Sequence, residues 1–157
     1  MFAKTIGCVF LDADDFHPQA NKDKMRKGIA LSEEDRVPWL KILCDTLQKY
    51  IISRESVVLG CSALTKKYRD MLRAADPTYE PGMYDTCVLK FIWLDAPAEV
   101  IAARLETRAK EGKHFMPATL LQSQLDLLQV ESAEGVMKVD ATCSPDTILD
   151  EMQAMIF

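Results

Sequence analysis

The chain has 157 residues, with 24 acidic and 19 basic side chains and a net charge of −5 at pH 7. This length fits one domain, the 48% hydrophobic content is globular rather than disordered, and the negative charge argues against a nucleic-acid partner. No apolar run approaches the roughly 18 residues that span a bilayer, and the first residues lack the features of a signal peptide, so we expect no membrane partner.

Four apolar runs and five segments with helical spacing alternate along the chain. The predicted strands are Cys8–Asp12, Ser56–Cys61, Val88–Leu94 and Val136–Asp140. The predicted helices are Asp35–Ile52, Thr65–Ala75, Ala98–Arg108, Pro117–Leu128 and one from Ser144 to about Met155. Alternating strands and helices indicate an α/β domain with a parallel sheet, whose apolar strands should be covered on both faces. Asp76–Thr86 is predicted to be a long loop.

The five cysteines suggest a reducing environment. Their number is odd and no C-x-x-C pair occurs, so neither a disulfide framework nor a zinc site is indicated. We therefore expect the cytoplasm as the protein's location.

Crowded carboxylates follow the first strand in the stretch VFLDADDFHP. In an extended chain Asp12 and Asp14 point the same way, and ligands of parallel sheets bind beyond the carboxyl ends of the strands. Two carboxylates there suit a water-bound Mg²⁺ and a base or acceptor for a substrate hydroxyl. A helix cap in a solvated turn explains the same residues about equally well.

Two further stretches carry groups that could bind an anion. Arg36 lies in the first turn of a helix, where the helix dipole does not favour a cation, so it could point at an anion; a surface arginine is the more common alternative. In GCSALTKKYRD a strand leads into a helix, and Ser62 at a helix N-terminus could bind an anion. The alternative for this second stretch is a basic helical face.

The fourth cluster is the basic stretch RLETRAKEGKHFMP. It places Arg104, Arg108, Lys110, Lys113 and His114 within eleven residues, running from a helix into a loop that contains a glycine. A basic lid near residues 104–124 that closes over phosphates is the functional interpretation. A solvated charged face is the alternative.

Together and in this order, the stretches FLDADDFHP, KMRKGIALSEEDRVPWL, CSALTKKYRD and HFMPATLLQSQLDLL resemble the motifs of the gluconokinase family. The resemblance covers nearly the whole chain. It implies ATP-dependent phosphorylation of D-gluconate to 6-phospho-D-gluconate, in carbohydrate-acid catabolism that feeds the pentose phosphate pathway. It also implies a three-layer P-loop kinase-like fold, ATP and Mg²⁺ as co-substrate and metal, and a possible homodimer.

The resemblance also assigns roles to individual residues. Asp12 matches the aspartate associated with Mg²⁺, and Asp14 the one that contacts the acceptor hydroxyls and acts as base. Arg36 matches an arginine that holds the gluconate carboxylate, with Arg69 as a second and Ser62 as a further substrate contact.

Arg104 and Arg108 match the lid arginines that contact the nucleotide. Arg108 is in addition a catalytic candidate that neutralises charge on the phosphoryl group. The roles of His17 and His114 stay open.

One defining element of the family is absent from these 157 residues. No G-x-x-x-x-G-K-[ST] segment occurs, and MFAKTIGC looks like the tail of the helix that follows a P-loop. The resemblance gives a strand order of 2-3-1-4-5, so the first strand, which lies at the centre of the sheet, is missing too. An alternative start, a splice variant or a gene-model error would each explain this.

Two functions remain open at this point. The chain is either a gluconokinase that is N-terminally short, which we expect to be inactive without its P-loop, or a non-catalytic relative that binds a sugar acid or a protein partner. A different acceptor, such as shikimate, fits the fold but not the motifs HFMP and CSAL.

Overall fold

The computed structural model describes residues 1–112 and 118–157, and strands and helices alternate along them. The four strands are β1 (Val9–Asp12), β2 (Val57–Gly60), β3 (Phe91–Asp95) and β4 (Val136–Asp140). The α-helices are α1 (Phe2–Thr5), α2 (Gln19–Arg26), α3 (Glu33–Ser53), α4 (Lys66–Arg73), α5 (Ala98–Lys110), α6 (Leu121–Leu127) and α7 (Pro145–Ile156). Two 3₁₀ turns, Ala13–Phe16 and Ala118–Leu120, complete the regular structure of the described part.

The predicted α/β alternation is confirmed, although some boundaries shift. β4 has the predicted limits, whereas β3 begins at Phe91 rather than Val88. The backbone N–H of Val88 instead donates to the buried Asp76 carboxylate at 2.9 Å, which keeps this segment in the preceding loop. Helix α2 was not predicted, because its eight residues are mostly polar and show no helical apolar spacing.

The strands form two separate parallel ladders. β1 pairs with β2, with Asp12 opposite Gly60, and β3 pairs with β4, with Asp95 opposite Asp140. Among the described residues β2 and β3 do not pair with each other. Two separate pairs, β1 with β2 and β3 with β4, are what the strand order 2-3-1-4-5 predicts for a sheet without its first strand.

The prediction that the strands are covered on both faces is wrong for most positions. No residue of β1 or β2 is buried, and Phe10 of β1 is 57% exposed. Val139 of β4 is the one buried strand residue in the described part. Each ladder has only two strands, so every strand keeps an unpaired edge and the helices cover the apolar side chains incompletely.

The main hydrophobic core lies between α3, α4 and the strands. It is built on Trp39, Leu40 and Leu43 of α3 and on Leu72 of α4, with Phe91 of β3 packed against it. A capping box starts α3: Ser32 Oγ accepts from Asp35 N–H at 3.3 Å, and Asp35 Oδ2 accepts from Ser32 N–H at 3.0 Å. Aspartate thus serves where glutamate is the usual partner.

None of the described helices combines the length and the apolar character that crossing a bilayer requires.

Candidate active site

The carboxylates of the opening motif lie in a tight turn at the end of β1. Asp12 closes the strand, and its Oδ1 accepts from the backbone N–H of Asp14 at 3.0 Å, which caps the 3₁₀ turn Ala13–Phe16. The capping interpretation is therefore correct for Asp12. Capping by Asp12 does not account for Asp14, whose side chain extends from the turn and is 37% exposed.

The ends of β1 and β2 bring these carboxylates close to the second motif. Asp12 is the register partner of Gly60, and Cys61 follows at the same edge. Burial raises the pKa of the Cys61 thiol to about 12, and the negative charges of Asp14 and Asp12 add to that rise. Cys61 is therefore a neutral thiol at this edge and not a nucleophile.

The donor set near Asp12 limits how a metal could bind. Within residues 1–112 and 118–157 no group of three or more His, Cys, Asp or Glu side chains is placed to hold a metal ion. Mg²⁺ commonly keeps several waters and binds through one or two carboxylates plus substrate phosphates. The exposed Asp12 fits that mode and does not fit an all-protein metal cage.

Arg36 is a buried cation rather than a surface arginine. It is 5% exposed, its Nε–H donates to the Leu31 carbonyl at 3.2 Å, and its guanidinium lies 5.9 Å from the centre of the Tyr68 ring. In the part of the chain that the structure describes, no carboxylate pairs with it. The start of α3, fixed by the capping box, sets its place in the first turn.

The terminal nitrogens of Arg36 keep a small accessible surface, although the residue as a whole is buried. No described side chain has a polar atom that is both fully buried and without a hydrogen-bond partner, so its terminal nitrogens reach solvent. Burial lowers the pKa of Arg36, although an arginine stays protonated at any physiological pH. A buried arginine whose terminal nitrogens keep some accessible surface suits an anionic ligand.

Ser62 lies in the turn before α4 and not at its N-terminus. Thr65 is the N-cap of α4, and its Oγ1 accepts from the Tyr68 N–H at 3.2 Å. The prediction that Ser62 sits at a helix N-terminus is therefore wrong, because the helix begins at Lys66, four residues later. The Ser62 side chain is exposed, so its role as a substrate contact stays a prediction.

Arg69 is held inside the protein. Its Nε and Nη2 donate to the two carboxylate oxygens of Glu134 at 2.9 and 2.6 Å, Nη1 donates to the Ala63 carbonyl at 2.6 Å, and Nη2 also donates to the Gln129 carbonyl. Arg69 is 3% exposed and Glu134 is fully buried. Unlike Arg36, the Arg69 guanidinium is already paired with a carboxylate. Few of its N–H donors are left to bind a ligand.

The predicted lid arginines lie on one face of α5. Arg104 and Arg108 are four residues apart and exposed, and both line a shallow depression of about 520 Å³. Arg104 Nη2 donates to the Ala141 carbonyl at 2.7 Å, which ties α5 to the loop after β4. Lys113 and the whole HFMP motif, including His114, lie outside the described residues.

The aspartates at the ends of the other ladder have local partners. Asp95 pairs with Lys138 at 2.7 Å, and Asp140 Oδ1 accepts from the N–H and Oγ1 of Thr142. These hydrogen bonds lower the pKa of Asp140. The ends of β3 and β4 are thus occupied by short-range contacts.

Two buried polar residues next to the candidate site residues had no predicted role. His17 is buried next to Asp14, and its position four residues before Asn21 was the only available signal. Glu134 compensates Arg69, and nothing in the glycine-containing stretch around it indicated a buried acid.

Comparison with known proteins gives a consistent group of relatives. No family model matches the chain. It is 52% identical over 156 residues to the gluconokinase of Arabidopsis thaliana, covering 99% of this chain and 82% of that protein. It is 39% identical over 140 residues to the thermosensitive gluconokinase of Escherichia coli K12, covering 88% and 68%.

Solved structures agree with these relatives. A gluconokinase from Sinorhizobium meliloti superposes with a TM-score of 0.79 at 36% identity, over 99% of this chain and 80% of that one. An unliganded sugar kinase from a Janibacter species gives a TM-score of 0.84, also at 36% identity, over 99% and 83%.

Proposed function

Because the chain belongs to the gluconokinase family, we propose that its site binds D-gluconate and that the complete site transfers a phosphoryl group from ATP to the 6-hydroxyl. The product would be 6-phospho-D-gluconate, which enters the pentose phosphate pathway. We place this activity in the cytoplasm, with small molecules rather than nucleic acids as partners, and we leave a homodimer as part of the proposal.

The observation that supports the proposal is that Arg36 is buried and has no carboxylate within salt-bridge distance among the described residues. A buried cation without a close partner is costly, and an incoming carboxylate would reduce that cost while forming charge-assisted hydrogen bonds. A sugar acid has one carboxylate at the end of a chain of hydroxyls. With its carboxylate on Arg36, its hydroxyl end would extend toward the turn that carries Asp14.

The remaining residues take roles that follow from their chemistry. Asp14 accepts the proton of the acceptor hydroxyl, and Ser62 is a further hydroxyl contact. Asp12 holds Mg²⁺ through water, and the bound MgATP supplies the phosphoryl group with part of its charge neutralised. Arg104 and Arg108 stabilise the charge on that group, for which they must approach it from α5.

Arg69 is the weakest of the proposed substrate contacts. Its carboxylate partner is Glu134 of the same chain, so a role in holding the sugar acid would require that buried pair to open. We keep Arg69 as a group that shapes the turn before α4, through its bond to the Ala63 carbonyl.

A second candidate is binding without transfer. The 157 residues contain no G-x-x-x-x-G-K-[ST] segment, and the backbone amides and lysine of such a segment are what cradles the ATP phosphates. The chain as given could therefore bind the sugar acid and release it unchanged.

Calorimetric titration of the chain with D-gluconate and with D-glucitol, which has a CH₂OH group in place of the carboxylate, tests the proposal. Gluconate should bind roughly 10- to 100-fold more tightly, the range expected for hydrogen bonds to a charged group. Equal affinity, or no gluconate binding, would refute the proposal. ADP release on adding MgATP would then separate the kinase from the non-catalytic binder.

A further inference from the structure

His17 is enclosed between α2, α3 and the turn that carries Asp14. It is 7% exposed, and its ring stacks on that of Trp39 with 4.1 Å between centroids and an angle of 16° between planes. The Trp39 Nε1–H donates to the carbonyl of Ala13 at 2.8 Å. The imidazole is therefore fixed in orientation by a neighbour that is itself attached to the 3₁₀ turn.

Asn21 determines which ring nitrogen of His17 carries the proton. The amide nitrogen of Asn21 lies 3.2 Å from His17 Nδ1 and 2.9 Å from the carbonyl oxygen of Asp35. A carbonyl can only accept, which fixes the orientation of the amide, and an amide NH₂ can only donate. His17 Nδ1 must then be the acceptor, so the proton of the neutral ring is on Nε2.

The protonated nitrogen faces Asp14. His17 Nε2 lies 3.9 Å from Asp14 Oδ1, which is longer than a hydrogen bond. Catalytic hydrogen bonds are often long in unliganded sites and shorten when substrate binds. The Asp14 side chain is 37% exposed, and the two groups would have to approach by roughly 1 Å to form a hydrogen bond.

The surroundings keep the ring neutral. Burial lowers the pKa of His17 to about 4, and the positive charges of Arg36 and Lys22 act in the same direction. The ring is therefore a neutral donor at physiological pH. It can orient the Asp14 carboxylate without neutralising its charge, which a charged imidazolium would do.

We propose that His17, held as its Nε2–H tautomer by Asn21, is a positioning residue that orients the carboxylate of Asp14 toward the acceptor hydroxyl of the substrate. The tautomer and the 3.9 Å separation between Nε2 and Asp14 Oδ1 rest on the structure alone, whereas the consequence for substrate rests on the proposed function. His17 itself does not touch the reacting atoms in this scheme.

The first experiment needs no ligand. ¹⁵N NMR of the histidine rings in the full chain should show His17 protonated at Nε2 and not at Nδ1 at pH 7. Asp14→Asn should move the Nε2–H resonance, while Asp15→Asn, one residue along the same turn, should leave it in place. A ring protonated at Nδ1, or a resonance unaffected by Asp14→Asn, would overturn the proposal even if gluconate binding were absent.

The second experiment measures the effect on substrate. His17→Phe keeps an aromatic ring on Trp39 but removes the donor, and it should weaken D-gluconate binding roughly fivefold or more. Binding of 6-deoxy-D-gluconate, which lacks the acceptor hydroxyl, should change less than twofold. Equal weakening for both ligands would show a merely structural role and refute the positioning role.

Two further variants make this measurement decisive. The double variant His17→Phe with Asp14→Asn should bind gluconate no more weakly than Asp14→Asn alone, because the two residues act on one contact. His17→Gln, which restores an N–H near the position of Nε2, should recover part of the affinity. Additive losses in the double variant would contradict the proposal. If the unmodified chain binds no gluconate, the proposed function fails and the NMR result decides the contact.

Discussion

The indole N–H of Trp39 donates to the carbonyl of Ala13 at 2.8 Å across the core, so α3 is attached directly to the turn between Asp12 and Asp14. Both residues are almost fully buried, and Trp39 also forms the stacking surface for His17. The geometry of the candidate site therefore depends on the packing of α3.

Trp39→Phe should lower the free energy of unfolding by about 2–4 kcal/mol. The change removes a hydrogen bond, leaves the buried Ala13 carbonyl without its donor and reduces the buried ring. Urea denaturation followed by circular dichroism measures it. Trp93→Phe in β3, where the side chain is only partly buried, is the control and should cost less. An equal loss in both variants would contradict a special role for the Trp39 bond.

Glu134→Gln should be among the most destabilising conservative changes in this chain. Glu134 is fully buried, accepts from Arg69 and from the Glu131 N–H, and lies 3.6 Å from Arg73 Nη1. Removing one partner of a buried pair typically costs about 3–5 kcal/mol, because the other charge stays buried without compensation.

Glu131→Gln is the matched control for Glu134→Gln. It makes the same chemical change three residues away on an exposed side chain and should cost less than about 0.5 kcal/mol. Denaturation midpoints of both variants give the comparison. Similar midpoints would mean that the buried pair contributes little beyond what a neutral amide can supply.

Stability should fall as the pH is lowered from about 6.5 toward 4. The pKa of His17 is about 4 in the folded chain and near 6.5 when unfolded, so in this window the unfolded state binds the extra proton. The contribution is complete above pH 6.5 and is lost as the pH falls, with an upper limit of roughly 3 kcal/mol.

Melting temperatures between pH 7.5 and 4.5 measure this contribution. His17→Phe has no titrating group at this position, so its melting temperature should fall less over the same range. Parallel curves for the two proteins would show that other groups produce the pH dependence.

Arg36→Met should remove the preference for a carboxylate. Methionine fills much of the buried stem volume but carries no charge, so gluconate should bind about as weakly as glucitol. In a longer relative that turns over, the same change should raise the KM for gluconate far more than that for ATP. Arg104→Met on α5 is the control and should leave gluconate binding within about twofold. Equal effects on both substrates would count against Arg36 as the carboxylate contact.

The sequence could predict the α/β fold and the turn that carries the aspartates, because these depend on local patterns. Apolar runs marked all four strands, and the residues after the first strand marked the turn with Asp14. Side-chain partners across the chain could not be predicted. Arg36 and Arg69 look alike in sequence, and only the folded chain shows that both are buried and that Arg69 pairs with Glu134, 65 residues away, whereas Arg36 has no carboxylate partner within salt-bridge distance among the described residues.

The exposed strands have a related cause. The prediction of coverage on both faces assumed that helices would pack against each side of every apolar strand, as in a complete parallel sheet. In the described part of the chain, side chains such as Phe10 and Leu94 are instead at least half exposed. Apolar composition cannot show this, because it does not report which helices reach the face of a strand.

The chain from Met1 to Phe157 should show no measurable gluconate-dependent ADP release. Positioning and electrostatic stabilisation supply nearly all the catalysis in phosphoryl transfer, and no G-x-x-x-x-G-K-[ST] segment is present to position the ATP phosphates. Arg104 and Arg108 cannot replace it, because they lie on a helix surface and provide no ring of backbone amides.

The same chain should also be of low stability and prone to self-association. Among the described residues the edges of β2 and β3 that lack a partner strand carry unpaired backbone groups, each costing roughly 1–3 kcal/mol where it is buried, and open edges pair readily with other chains. A version with a strand and P-loop segment placed before Met1 should have a higher melting temperature, elute as a defined species on size exclusion and release ADP with gluconate.

Asp14→Asn in that version should lower turnover about 10²- to 10⁴-fold, the usual contribution of a general base. Comparable turnover from the unextended chain would mean that some other element holds the nucleotide.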